Sequence, residues 1–219
     1  MSILPTDLPT NPLPILCKWF EEAKTITSIP NPDAMILATI KNNNQVSART
    51  VLCKSIEIDP GYIIFYTNYE SNKGLEIDIN QNVAAVFQWD ELNRQVRVEG
   101  IAIRSPQEES ENYFNSRDLE SRIGSWTSDQ SRPIKSYGEL LKKHNRMKEK
   151  FSSIKNNNSK VPRPPNWGGY RIIIRALELW SRGKARLHDR AYWKRSLELN
   201  PQNGGIEKIG DWHSSRLQP

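Results

Sequence analysis

The stretch VAAVFQWDELNRQVRVEGIAIR, Val83 to Arg104, decides the fold. Val83 to Trp89 and Gln95 to Arg104 are rich in β-branched and apolar residues, and the polar segment between them is short enough to reverse the chain. The second run alternates: Val96 and Val98 face one side, Gln95, Arg97 and Glu99 the other, as in a strand with one buried face. Upstream, Ala34 to Ile40 and Val46 to Ile56 flank the hairpin connection Lys41 to Gln45, and Asp59-Pro60-Gly61 turns the chain into Tyr62 to Thr67. Downstream, Gly169 to Ser181, Arg186 to Arg195 and Trp212 to Leu217 return to strand character. Many short antiparallel strands with tight turns predict a β-barrel.

Helices surround this pattern. Asn11-Pro12 predicts a helix start with Asn11 as N-cap, and Leu13, Leu16, Cys17 and Phe20 fall on one face. Ser71 to Ile79 reads as a short helix. Ser105-Pro106-Gln107-Glu108 and Ser136-Tyr137-Gly138-Glu139 read as capping boxes. Residues 1–11 are proline-rich and irregular, and 152–165 read as a mobile loop. The expectation is one mainly-β domain with peripheral α-helices spanning residues 1–219.

The chain has a formal charge of +6, 37% hydrophobic residues and, among 219 residues, seven Trp, seven Tyr and five Phe. Those aromatics suffice for a core, and the charge favours anionic partners. Cys17 and Cys53 fall in dissimilar segments, a pattern that suits a reducing cytosol better than a disulfide scaffold. The N-terminus does not read as a signal peptide, and no run approaches the ~20 apolar residues of a membrane span. Phosphate-cradling and dinucleotide glycine motifs are absent. His144, His188 and His213 lack metal-like spacing, so no metal is expected.

Cations in strand context stand out: Arg49, Lys54, Lys73, Arg97, Arg117, Arg186 and Arg190. With Thr67, Tyr113, Ser121, Gln130 and Ser131 they form the donor set a phosphate needs. Trp180 and Gln95 suit a flat heteroaromatic ring, one by stacking and one by hydrogen bonding. In WSRGKARLHDR, Trp180 to Arg190, an extended 186–190 puts Arg186, His188 and Arg190 on one face. The basic run from Lys142 to Lys150 reads as a solvated helix face in preference to a nucleic-acid patch.

The chain resembles the pyridoxine/pyridoxamine 5′-phosphate oxidase family. The matching stretches are NPDAMILAT (31–39), ARTVLCK (48–54), FYTNYESNKG (65–74), RQVRVEG (94–100), YFNSR (113–117), SRIGSWTSDQS (121–131), VPRPPNWGGYR (161–171), LELW with RLHDR (177–190), and W-x-x-x-R-L-x-P from Trp212 to Pro219. The resemblance implies an FMN-binding split barrel, a homodimer, and oxidation of pyridoxine or pyridoxamine 5′-phosphate to pyridoxal 5′-phosphate with O2, giving H2O2. It implies that Arg49 and Lys73 hold the FMN phosphate. Arg49, Thr50, Val51, Leu52, Cys53, Lys54, Tyr66 and Thr67 would line the flavin, and Gln95, Gln130, Ser131, Trp180 and Arg190 would complete its site, partly across the dimer interface. Lys54, Tyr113, Arg117 and Ser121 would grip the substrate phosphate, with Arg186 and His188 against the substrate.

Three departures are visible. Ser71-Asn72-Lys73 stands where the family commonly reads S-R-K, removing one phosphate cation. Cys53 replaces the usual Leu. The family's N-terminal closing segment finds no counterpart ahead of Asn11. Two alternatives remain: a related flavin oxidase acting on another aromatic ring, and a non-catalytic binding protein.

Overall fold

The computed structural model describes residues 4–152, 161–200, 202 and 204–219. Its main feature is a curled antiparallel sheet, a split barrel. The chain runs α1 (Leu13–Ile26), β1 (Ala34–Ile40), β2 (Val46–Leu52), β3 (Ser55–Glu57), β4 (Tyr62–Asn68), α2 (Asn72–Ile79), β5 (Asn82–Trp89) and β6 (Arg94–Arg104). Then follow α3 (Gln107–Ser116), α4 (Leu119–Thr127), α5 (Tyr137–Ser152), β7 (Trp167–Ser181), β8 (Asp189–Lys194), β9 (Leu197–Leu199), β10 (Ile206–Ile209) and β11 (His213–Leu217). Strand order is β11-β8-β7-β6-β5-β1-β2, with β4 paired to β3 and β7, and β9–β10 forming a separate ribbon.

The hairpin expected over Val83 to Arg104 is present as β5–β6, from Asn82 opposite Ile101 to Trp89 opposite Arg94. Strand β7 organises the rest. One edge pairs with β6 along its length; the other is shared by β4, on Trp167 to Ile173, and β8, on Ala176 to Ser181. A register shift at Glu99/Gly100 leaves Arg175 of β7 as the extra residue, a bulge that bends β7 against β6. Gly100 is required there, because an added Cβ would lie 2.3 Å from the Ile173 carbonyl oxygen.

Alternation fills the core. Val96, Val98, Leu177, Leu179, Ala191 and Trp193 are buried on one face. Helix α1 covers it with Leu13, Leu16, Trp19, Phe20 and Ala23, and Phe20 meets Phe87 edge-on at 6.0 Å. Each large apolar side chain so buried contributes ~1.5–3 kcal/mol. Residues 4–11 contain no regular element, yet they are tied down: Trp193 Nε1 donates to the Pro9 carbonyl at 2.8 Å.

Several local expectations shift. Pro12, not Asn11, occupies the N-cap, although Asn11 Oδ1 still accepts from Leu13 N at 3.0 Å. Cys17 is half-buried, and Trp19 and Ala23 take the buried face. Val46 to Ile56 is broken at Cys53-Lys54, because Lys54 N turns to the Ile64 carbonyl. The box at Ser105 forms no side-chain cap, as Pro106 takes the N-cap of α3. The box at Ser136 does form in part, with Glu139 N donating to Ser136 Oγ at 3.1 Å. The loop expected over 152–165 lies outside the described residues at 153–160, and 161–164 carry no regular structure.

Candidate active site

A cavity of about 490 Å³ opens between β2, β4 and the α3–α4 region. Thr50, Val51, Leu52, Lys54, Tyr66, Thr67, Lys73, Tyr113, Arg117, Ser121 and Gln130 all line it, so eleven expected site residues converge although they are spread over eighty positions.

Lys73 anchors one part. Ser71 caps α2 by accepting from Gly74 N, which leaves the first helical N–H groups at the cavity end. Gly74 allows this approach, because a Cβ would meet the Tyr69 carbonyl oxygen at 2.0 Å. Lys73 is only 7% exposed. Its Nζ donates to Thr67 Oγ1 at 3.1 Å and Ser71 Oγ at 3.2 Å. Among the described residues no carboxylate forms an ion pair with it. Burial, reinforced by Arg49 and opposed by Glu76, lowers its pKa to about 8. Gln130 closes over the same spot, its Oε1 accepting from Thr67 Oγ1 at 3.1 Å. A buried ammonium with only hydroxyl partners, beside a helix N-terminus, is a site for an anion such as a phosphate.

The second part is aromatic and cationic. Tyr66 and Tyr113 stack at 3.8 Å, and Trp167 lies parallel to Tyr66 at 5.6 Å. Burial pushes the Tyr66 phenol above its ordinary pKa, so it stays a neutral donor. Asp118 caps α4 by accepting from Ser121 N at 2.8 Å, which sets Ser121 and the preceding Arg117 at the rim. The Arg117 guanidinium lies 4.7 Å over the Trp167 ring and donates to Ser125 Oγ at 2.7 Å. Lys54 reaches the cavity from β2–β3, paired with Asp33 at 2.7 Å.

Other expected residues lie elsewhere. Arg49 sits behind the cavity, its guanidinium donating to Glu76 at 2.9 Å, to Ser47 at 2.7 Å and to Thr39. Cys53 is buried on the core side, and burial pushes its thiol up to about 12. Ser131, at φ 70°, lines an adjacent cavity with Arg132 and Lys143. Gln95, Trp180 and Arg190 form a row across three strands, Gln95 opposite Trp180 and Trp180 opposite Arg190.

The extended reading of 186–190 is corrected. Lys184–Arg186 form a 3-10 turn with Ala185 at φ 51° and Arg186 at φ 63°, and the strand starts only at Asp189. Arg186 and Arg190 are therefore not placed on one face by strand alternation. The turn closes because Gly183 packs against Leu187, where a Cβ would lie 1.7 Å from the carbonyl oxygen. His188 instead packs on Trp180 at 4.6 Å and accepts from Gly183 N through Nδ1 at 3.3 Å.

Sequence reasoning missed Asn68, Gly124, Ser125, Ser128 and Trp167 as cavity residues. A signal existed: Ser121, Gly124, Ser125 and Ser128 recur at helical spacing, a stripe of small residues along α4 to its C-cap Ser128.

The family model "Pyridoxamine 5'-phosphate oxidase" matches residues 21–151. The model "Pyridoxine 5'-phosphate oxidase C-terminal dimerisation region" matches residues 167–219. Pyridoxine/pyridoxamine 5′-phosphate oxidase of Cupriavidus necator is 40% identical over 218 residues, covering 100% of this chain and 93% of the relative. That of Paraburkholderia xenovorans is 41% identical over 213 residues, covering 97% and 91%. Among solved structures, PhzG from Burkholderia lata, in complex with tetrahydrophenazine-1-carboxylic acid, superposes with a TM-score of 0.83 at 24% identity, covering 100% of this chain and 99% of that one. An FMN-binding protein from Nostoc punctiforme superposes with a TM-score of 0.68 at 15% identity, covering 98% and 99%. The uncompensated Lys73 ammonium fits a cofactor phosphate, and the chain belongs to the pyridoxamine 5′-phosphate oxidase family, an oxidase family whose cofactor is FMN.

Proposed function

We propose that the protein oxidises pyridoxine 5′-phosphate or pyridoxamine 5′-phosphate to pyridoxal 5′-phosphate, acting as a pyridoxal 5′-phosphate synthase in vitamin B6 salvage. The alcohol and O2 give the aldehyde and H2O2; the amine, O2 and water give the aldehyde, ammonia and H2O2. Bound FMN supplies the two-electron redox chemistry and its return to the oxidised state by O2. The observation that carries the reading is one cavity holding two cationic sets on different elements: Lys73 with Thr67 and Gln130, and Lys54 and Arg117 with Ser121 and Tyr113. Two phosphates need two such sets, one for the cofactor and one for the substrate.

In this reading Lys73, Thr67 and Gln130 bind the cofactor phosphate, and Arg49 joins them by releasing Glu76. Thr50 to Lys54, through backbone and side chains, border the ring. Tyr113, Arg117, Ser121 and Lys54 orient the substrate phosphate, and the Tyr66–Tyr113–Trp167 stack excludes water. Arg186 and His188 press on the substrate, while Gln95, Ser131, Trp180 and Arg190 complete the cofactor site. The Trp180 row comes from a second copy: Trp167 lines the cavity, and Trp180 lies thirteen residues further along β7, roughly 40 Å of extended strand. The match of residues 167–219 to a dimerisation region supports a homodimer.

Free Cys17 and Cys53 suit a reducing cytosol, and among the described residues no helix is long and apolar enough to cross a membrane. The basic face of α5 is a solvated surface, since Lys143 pairs with Asp129 at 2.6 Å and Lys148 with Glu120 at 2.8 Å. Those pairs weaken the case for nucleic acid.

The test is visible absorbance. Purified protein is yellow, and pyridoxine 5′-phosphate bleaches it without oxygen far faster than pyridoxine does. Colourless protein that takes up no added FMN defeats the proposal. A second reading, oxidation of an unphosphorylated aromatic, is favoured by Lys54 being already paired with Asp33. Equal bleaching with and without the phosphate establishes it.

A further inference from the structure

Glu178 on β7 is 3% exposed and lies between two guanidiniums. Its Oε1 accepts from Arg190 Nε at 2.8 Å and its Oε2 from Arg97 Nη1 at 2.8 Å. Arg97 Nη2 also lies 3.6 Å from Glu99. The register explains the geometry: Glu178 stands opposite Arg97 on β6 and opposite Tyr192 on β8, one diagonal step from Arg190. Arg190 Nη1 donates to the Gln218 carbonyl at 2.7 Å. Two of its three nitrogens are thus fixed, and a planar guanidinium with two fixed donors has its third direction fixed as well. Nη2 has no hydrogen-bond partner among the described residues, and the side chain is 24% exposed.

We propose that Glu178 is a positioning residue, holding the free edge of Arg190 toward the cofactor and offsetting part of its charge there. The proposal rests on the reading that Arg190 meets FMN. Glu178 is too buried to touch the cofactor and acts through Arg190. A carboxylate buried between two arginines is costly to remove, because the guanidiniums then repel and lose their acceptors.

The experiment compares Glu178→Ala, Glu178→Gln, Arg190→Ala and the double variant Glu178→Ala/Arg190→Ala. FMN affinity is read by flavin fluorescence quenching and the flavin midpoint potential on the reloaded protein. Arg190→Ala and Glu178→Ala each weaken FMN roughly tenfold or more, the loss of a charged hydrogen bond, and the double variant is no weaker than Arg190→Ala. Glu178→Gln keeps an acceptor for Arg190 Nε and restores most of the affinity. It also raises the midpoint potential by about 30 mV for each tenfold gain of reduced over oxidised FMN, because a nearby negative charge is gone. Additive losses in the double variant, or an unmoved potential in Glu178→Gln, overturn the positioning role. An unaffected Arg190→Ala overturns the role of Arg190 itself and the proposal with it. Should Glu178→Ala fail to fold, the isosteric Glu178→Gln arm decides alone.

Discussion

Trp167 and Trp180 stand at opposite ends of β7, Trp167 in the wall of the cavity and Trp180 in a row with Gln95 and Arg190 that the cavity does not include. They lie thirteen residues apart, roughly 40 Å of extended strand. In the proposed homodimer, a twofold relation between two copies would place each row on the other's cavity.

Subunit complementation follows. Lys73→Ala disables the cavity and Arg186→Ala the β7–β8 turn beside the row, and each homodimer is inactive. When the two are unfolded together and refolded as an equal mixture, half the dimers are mixed and each holds one intact site. Activity returns to about one quarter of wild type in an isologous dimer. Recovery of no activity from a well-folded mixed dimer rejects the shared site. The measurement is oxidase turnover against the fraction of mixed dimer separated by a charge tag.

Lys73 makes cofactor binding pH-dependent. Its folded pKa is lowered to about 8 by burial and Arg49, and bound phosphate favours the charged form. Above pH 8 the free protein loses this proton, and the apparent Kd for FMN rises about tenfold per pH unit. Riboflavin, which lacks the phosphate, shows no such rise. For the apoprotein the sign is opposite. The unfolded lysine binds its proton up to its ordinary pKa, so between that value and pH 8 this group makes folding more favourable as pH rises. Fluorescence titration and thermal melts from pH 7 to 10 separate the two.

Arg117→Ala removes a cation at the α3–α4 rim. KM for pyridoxine 5′-phosphate rises roughly ten- to hundredfold, the size of a lost charged hydrogen bond, while FMN affinity stays within twofold. Steady-state kinetics and an FMN titration on the same preparation check both halves. An equal loss of FMN would move Arg117 to the cofactor.

Gly74→Ala introduces a Cβ 2.0 Å from the Tyr69 carbonyl oxygen. Backbone cannot yield cheaply, so α2 shifts, Lys73 with it. Stability falls by ~1–3 kcal/mol in urea unfolding, and FMN binding weakens. Asn72→Arg, on the exposed side of the same turn, instead tightens FMN severalfold by adding a cation near the phosphate.

Most of the architecture was legible in the chain. Alternation in Val96 to Arg104 and the turns at Lys41 to Gln45 and Asp59-Pro60-Gly61 are local signals, and local signals place strands. The residue types of the site were legible too, because an anion needs cations and hydroxyls wherever they fall, and the ordered motifs marked the family. Where periodicity was weak, the reading failed. The 186–190 run lost its extended form because Ala185 and Arg186 take left-handed backbone angles next to the close Gly183–Leu187 approach, and no alternation pattern reveals either. Tertiary structure alone decided which cations meet: Lys73 lines the cavity with hydroxyl partners and no ion-paired carboxylate among the described residues, while Arg49 is held by Glu76. It also decided that Gln95, Trp180 and Arg190 share a row away from Lys73. Sequence specifies which groups can bind an anion, but burial and strand register set their partners, and those depend on contacts between residues far apart in the chain.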